Sequence, residues 1–283
     1  SFLGFSTTRS ISTPIGKINQ FASGVTRGNL NQILEIRGIK EFVSLGQILT
    51  HMQTSIRELT EGLEYEKNKL QKEDWIKTNY TNIFNKLQGI NSHEKLADTL
   101  LSELTPAIKS PLAVFYLRED ILKVEGEGLS TDLLLVSSYA YKKRKGLSNR
   151  YKLGEGIIGQ CARERKIIQI NKIPNDYLFI ESGLGEGKPQ SILALPIMLE
   201  DEIMGVLEMA TLIEFTDESY KLLEQVAQNV GIIIAGIASK NRTEQLLKRS
   251  QEMAEELQQQ QEEVKAANEE LEAQTQALKQ LEE

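Results

Sequence analysis

Between Phe42 and Leu70 the chain carries an apolar seam that few architectures can absorb. Apolar side chains fall at Phe42, Leu45, Leu49, Met52, Ile56, Leu59 and Leu63, alternately three and four residues apart, and Leu70 keeps the phase after a gap at Glu66. A mean step of about 3.5 residues winds a helix into a left-handed coiled coil with a partner helix. A lone globular domain has no use for such a seam, whereas a rod joining domains does. The expectation is a homodimer built on parallel helices, with this seam along its axis.

Composition narrows what the rod can serve. The 283 residues leave room for one mid-sized domain besides extended helices. A net charge of -7 and a pI near 5.2 exclude a nucleic-acid partner, because phosphate binding needs a basic face. The single Cys161 excludes an internal disulfide or a multi-cysteine metal site and suits a reducing compartment. With only His51 and His93 besides, no metal site and no cofactor is expected. No apolar run approaches the roughly 20 residues that span a bilayer. The opening Phe2-Leu3-Gly4-Phe5, without an initiator Met or charged leader, is nevertheless read as the end of a truncated transmembrane helix, residues 1–7.

A hydroxyl-rich lead-in from Thr7 to Pro14 follows, with Pro14 expected in the first turn of a helix. Ile15, Ile18, Phe21, Ala22 and Val25 mark one helical face, and Gly28-Asn29 ends it. Leu30, Ile33 and Ile36 form a connector before the second helix, which begins near Lys40. Pro14, the Arg27-Gly28-Asn29-Leu30 turn and Glu41-Phe42-x-x-Leu45 with Leu49 and Met52 resemble the HAMP module of bacterial membrane receptors. That resemblance covers residues 8–59 and implies a parallel four-helix bundle made by two chains. Val43 stands where the family usually has glycine, and Leu49-Thr50 replaces its Phe-Asn pair. Residues 60–79 are read as a coiled-coil connector. The step from Leu70 to Ile76 is one residue short of a heptad, a phase break that locally rewinds a coiled coil.

Residues 80–238 read as one α+β domain. Helical stripes run through Leu87 and then Leu96, Leu100, Leu101 and Leu104, closed by Pro106. Strands are expected at Leu112–Leu117, Ile121–Val124, Leu133–Tyr139, Ile167–Ile170, Ile192–Met198 and Ile203–Met209, with a hairpin turn at Asp201-Glu202. Thr216-Asp217-Glu218 caps a closing helix carrying Leu222, Leu223, Val226, Val230 and Ile234. Leu153-Gly154-Glu155-Gly156-Ile157-Ile158-Gly159, Lys166-Ile167-Ile168-Gln169-Ile170, Leu193-Ala194-Leu195-Pro196-Ile197, Gly205-Val206-Leu207-Glu208 and Phe215-Thr216 resemble the GAF domain in order and spacing. This small-molecule sensing fold implies a central antiparallel sheet with helices on one face. It also implies a pocket between the sheet and the loops from Asn171 to Pro189, lined by Tyr139, Tyr177, Phe179, Ser191 and Ala194. The glycine-containing loop Glu181–Lys188 would be its lid, and many relatives keep a degenerate pocket used only for dimerisation.

Residues 239–283 change character. From 240 onward there is no Gly, Pro or aromatic residue, and 6 basic residues face 11 acidic ones. Leu246, Met253, Leu257, Val264, Ala267, Leu271, Leu278 and Leu281 return in heptad phase, with Ser250, Gln260 and Gln274 weakening the zipper. Leu257, Val264, Leu271 and Leu278 are thus a second dimer seam.

Four motifs invite chemistry. Ser92-His93-Glu94 resembles the phospho-accepting box of sensor histidine kinases, but Lys95, Leu96, Ala97 and Asp98 follow it instead of Thr-Pro, so His93 is expected exposed at a helix start. The glycines around Gly154 lack the strand and Gly-Lys-Ser/Thr ending of a phosphate loop. Cys161 lacks a bilin-attachment context and is expected to be buried and structural. Lys142-Lys143-Arg144-Lys145 reads as a solvated loop. No catalytic residue is assigned.

The reading is a cytoplasmic, non-catalytic segment of a bacterial inner-membrane receptor. HAMP, GAF and an outgoing coiled coil would relay a transmembrane signal to a downstream kinase domain of the same chain, as in hybrid sensor histidine kinases of two-component systems. The alternatives are a structural dimerisation rod with an inert GAF spacer, or a receptor with a cyclase or phosphatase output.

Overall fold

The computed structural model describes residues 2–37, 39–123, 130–140, 149–171, 173–174, 180–182 and 185–281. The chain divides into two compact units, Ser1–Trp75 and Ile76–Glu283.

In the first unit, helix α1 spans Phe2–Thr26 and helix α2 starts at Lys40. The sequence placed Pro14 at a helix start, but it lies inside α1. Its ring lacks the N–H that would bond the carbonyl four residues earlier. It is, however, buried, so packing offsets the missing bond. Gly28, at φ +83°, turns the chain out of the helix, and the Asn29 amide bonds back to the Gly24 carbonyl at 3.0 Å. Gln53 then holds the connector: its Nε2 donates to the carbonyls of Leu30 and Gln32, each at 2.9 Å. Ile36 seats on Gly46, where a Cβ would stand 3.0 Å from Ile36 Cδ1. Phe21 is buried, whereas Leu45, Met52, Leu59 and Leu63 of the seam are 40%, 49%, 67% and 71% exposed.

The second unit opens on the end of α2, which runs to Leu87 with Ile83 and Leu87 buried. Helix α3, His93–Ala107, follows, capped by Ser92, whose Oγ accepts from the Lys95 amide. Strand β1 is Leu112–Arg118, β2 Leu133–Tyr139, β3 Arg150–Tyr151, β4 Ile168–Asn171, β7 Ser191–Leu199 and β8 Glu202–Thr211. They form one antiparallel sheet in the order β3-β2-β1-β8-β7-β4. Helix α5 spans Gly156–Glu164, and helix α6 runs unbroken from Asp217 to Leu281.

Three local expectations are corrected. Where a strand was expected at Ile121–Val124, residues Glu119–Leu122 form the single helical turn α4, and Val124 lies outside the described residues. The turn is fixed by the buried Glu119 carboxylate, which accepts from Lys123 Nζ and Arg150 Nη2 at 2.6 Å each and from Ser130 Oγ at 3.0 Å. In place of a loop at Glu181–Lys188, Ile180–Ser182 (β5) pairs with Gly185–Gly187 (β6), and residues 183 and 184 lie outside the described set. The β7–β8 hairpin turns one residue earlier than expected, on Glu200-Asp201, with Glu200 at φ +51° and Leu199 facing Glu202.

Each central strand presents alternate residues to two different faces. On one face α3 packs on β2 and β1, and α6 packs on β7 and β8. Phe115, Leu117, Leu193, Leu195, Ile197 and Leu207 fill it, buried together with Leu96, Leu100 and Leu104 of α3 and Leu222, Val230 and Ile234 of α6. Gly231 brings α6 so close that a Cβ there would lie 2.0 Å from the Met198 carbonyl oxygen. One window of α6 is apolar and long enough to cross a membrane by composition, with mean hydropathy 1.3. Of that window 44% is buried within the protein.

The other face is covered by α5. Val114, Tyr116, Leu133, Ala194, Ile203 and Val206 of the strands cluster with Ile158, Cys161 and Ala162 of α5.

Candidate functional site

The residues expected to line one pocket do not share one face. Tyr139 is 38% exposed at the end of β2. By alternation it lies on the side of Ser137, which hydrogen-bonds Asp98 of α3, so it belongs to the helical face. Ser191 is fully buried, and its hydroxyl is committed locally: it donates to Asn171 Oδ1 at 2.8 Å and accepts from Gln169 Nε2 at 3.2 Å. It is in phase with Leu193, again on the helical side. Ala194 alone of the described candidates lies in the cluster under α5. Tyr177 and Phe179 lie outside the described residues, as does the basic run Lys142–Lys145.

The α5 side is held in place by the glycine motif. Gly154 and Gly156 adopt φ +88° and +62°. A Cβ on Gly159 would stand 2.1 Å from the Lys152 carbonyl oxygen, so only glycine lets α5 close against the preceding turn. The Gly154 amide bonds the Gly159 carbonyl at 2.8 Å, and Glu155 Oε2 accepts from the Lys152 amide at 2.9 Å. The motif's glycines therefore serve packing. Tyr116 and Tyr151 seal the edge, ring centroids 5.5 Å apart in a T-shaped contact.

Under this cover sits a group that sequence reasoning missed. The strand registers align Ser138, Val114, Glu208, Ala194 and Ile168 in one row across β2, β1, β8, β7 and β4. The row's centre is a carboxylate. Val114 and Ala194 flank Glu208, and Cys161 of α5 is close enough to feel its charge. Glu208 retains some solvent exposure, yet its apolar surroundings push its carboxyl up to about 7. Desolvation is the cause; among the described residues no cation and no hydrogen-bond donor is paired with it. The signal was present as one acid inside the run Ile203–Ala210, but there it served only as a family marker.

Two further titratable groups resolve differently from expectation. His93 is not exposed: it is 4% exposed between α3 and α6, with Nε2 3.3 Å from the Ile234 carbonyl oxygen. Because a carbonyl can only accept, the neutral ring donates from Nε2. Burial lowers its pKa, against smaller opposing effects of that hydrogen bond and of Glu94. Cys161 is fully buried, and its thiol is pushed up to about 12 by burial, then by the charges of Glu208 and Glu164. Such a thiol is a poor nucleophile near neutral pH. Among the described residues no cluster of His, Cys, Asp and Glu could hold a metal ion.

The exposed seams are carried by α2 and α6. Phe42, Leu49 and Ile56 are half-buried within their own unit. Leu257, Val264 and Leu271 are 54%, 61% and 59% exposed; the side chain of Leu278 lies outside the described set.

Comparison with known proteins places this architecture. No curated protein matches the chain. Among solved structures, the GAF domain of an Acinetobacter phosphoenolpyruvate-protein phosphotransferase aligns at 18% identity and TM-score 0.44, over 59% of this chain and 96% of that one. The corresponding domain from Coxiella burnetii gives 20% identity and TM-score 0.46 over 59% and 96%. The A. aeolicus nlh2 GAF domain in an inactive state gives 22% and 0.41 over 60% and 99%. The sequence profile of the GAF domain matches residues 91–235, which take in the sheet, the helices α3 and α5 and the buried start of α6. That match spans just over half of the chain and suggests a sensory or regulatory role; the chain belongs to the GAF domain family.

Proposed function

We propose that this chain is a signal relay of a bacterial two-component receptor. In this reading a HAMP module at residues 8–59 receives a transmembrane signal at the cytoplasmic side of the inner membrane. The GAF domain adds a small-molecule input, and α6 hands the result to a kinase domain further along the same chain. Two copies act together through parallel helices.

The observation that carries the reading is the continuity of α6. Its first turns, through Leu222, Leu223, Val226, Val230 and Ile234, are buried on the sheet, and the same helix continues past residue 240 with a seam of exposed heptad residues. A helix transmits rotation and translation because its backbone bonds lie within itself. Any change in how the sheet seats α6 must therefore appear in the phase of Leu257, Val264 and Leu271. The exposed apolar positions of α2 supply the matching element upstream. An equilibrium between two packings of a two-chain bundle needs a bias of only a few kcal/mol to shift its populations.

Two measurements test this. Light scattering on the eluting chain at micromolar concentration should report a dimer, and a monomer would overturn the two-chain relay. A single alanine inserted after Asn241 turns the seam by about 100° relative to the domain. Unchanged kinase output from the receptor carrying that insertion would leave the GAF domain as an inert spacer.

A further inference from the structure

We infer that Glu208 anchors a small organic cation, a primary ammonium or guanidinium with a short apolar body, bound on the sheet face beneath α5. This deepens the sensory reading above and rests on it.

The argument begins with the cost of the residue. Glutamate is depleted from strands and is almost never buried without a partner. Glu208 sits at the middle of β8, in a row whose neighbours are Val114 and Ala194, both buried. A leucine or methionine there would complete the apolar cluster formed with Ile158, Cys161 and Val206. The acid is instead left without a cation or donor among the described residues, and it retains a share of solvent exposure through which a molecule can reach it. Among the described residues Glu208 belongs to no group of three side chains that could hold a metal ion. An anion would be repelled.

The surroundings define the rest of the molecule. Ala194, fully buried, is the smallest side chain of the row and stands directly across from Glu208. Val114 and the half-buried Ile168 extend an apolar floor to either side. Ser138, exposed at the β2 end, supplies a hydroxyl at the rim. A cationic head that donates to Glu208 would restore the pairing that burial requires, while a short alkyl body lies on the floor. In such a poorly solvated place a charge-assisted hydrogen bond is stronger than at a surface.

The test uses the full chain and four probes of one size: butylammonium, butylguanidinium, butanol and butyrate. Binding is followed by the amide shifts of β1, β7 and β8 in NMR titrations. The two cations are expected to shift these signals saturably, and butanol and butyrate to do so at least about tenfold more weakly. Glu208→Gln keeps the shape and removes the charge; it should weaken the cations by about 10- to 100-fold. Ala194→Val, which leaves the acid in place, should weaken them by adding bulk directly across from it. If all probes bind alike, or Glu208→Gln keeps its affinity for the cations, the cation inference fails while the sensory reading stands. If no probe shifts this face at any concentration, both fail together.

Discussion

The two faces of the central sheet are made from the same strands and obey opposite rules. On the helical face the middle of β1, β7 and β8 is apolar, buried polar residues appearing only toward one end at Ser191 and Thr211, and α3 and α6 close it: Phe115, Leu193, Ile197 and Leu207 have no exposed surface. On the α5 face the same three strands carry Val114, Ala194 and Glu208, the acid without a partner among the described residues, covered by a helix of nine residues. The first face is built to hold α6 in one place. The second gives up packing to keep an acid within reach of solvent. The packed core and the acid are thus separated by the alternation of side chains along β8, with Leu207 on one side and Glu208 on the other.

The largest effect should come from the helical face. Phe115→Ala removes a fully buried aromatic ring between the sheet and the helices and is expected to cost about 3–5 kcal/mol in urea unfolding. A loss below about 1 kcal/mol would show that this face is not the structural one. Gly231→Val should act in the same direction, because even the first added carbon meets the Met198 carbonyl backbone, which cannot swing aside as a flexible side chain could.

The opposite sign is expected on the other face. Burial raises the Glu208 carboxyl from 4.5 to about 7, so between those values the unfolded chain has already lost a proton that the folded chain still holds. Stability attributable to this group is therefore present at low pH and is lost as pH rises toward 7. Glu208→Gln should consequently stabilise the domain at pH 8, by on the order of 2 kcal/mol once partial solvation is allowed for, and do little near pH 4.5. Unfolding curves of the two proteins at both pH values check this. A destabilised glutamine variant at pH 8 would mean that the carboxylate already has a favourable partner.

How much of this was legible in the sequence depends on the range of the cause. The helix stripes through Leu96–Leu104 and Leu222–Ile234 and the strands at β1, β2, β7 and β8 follow from local periodicity, and the order of the glycine, strand and Phe-Thr motifs pointed to the family. Ile121 and Leu122 failed because their helical turn is set by Glu119 meeting Arg150, residues 31 apart. Proximity to the loops groups Tyr139 and Ser191 with Ala194, whereas strand alternation sends both to the other face. Glu208 stood in plain view, but its isolation depends on Val114, Ala194 and Cys161, each from a different element. Polar residues at helix starts are usually exposed, which predicts an exposed His93, whereas α6 returns to cover it.

That last residue yields a smaller, separable effect. The pKa of His93 is lowered in the fold, so below its ordinary value near 6.5 the unfolded chain takes up a proton that the folded chain resists. Its contribution to stability is present above pH 6.5 and is lost as pH falls, opposite in slope to that of Glu208. In the Glu208→Gln background, unfolding free energy should therefore decline from pH 7 to pH 5, and His93→Gln should flatten that decline. A slope unchanged by His93→Gln would remove the histidine from the account. Since His93 touches the Ile234 carbonyl, its protonation would act where α6 is seated, on the helical face.

The smallest effect on stability marks where the domain ends. Leu257 is 54% exposed on α6, well beyond the residues buried on the sheet. If α6 past residue 240 contributes nothing to the fold of the domain, Leu257→Ala should change domain unfolding by no more than about 0.5 kcal/mol, as for surface positions generally. In the two-chain reading the same substitution removes a seam residue and should weaken self-association measurably in sedimentation equilibrium. The pair of results is informative because the two readings of the tail separate: a loss of domain stability would make it part of the core, and unchanged stability with unchanged association would make it neither core nor seam. Unchanged stability with weakened association is what a helix held by the sheet at one end and by a second chain at the other must give.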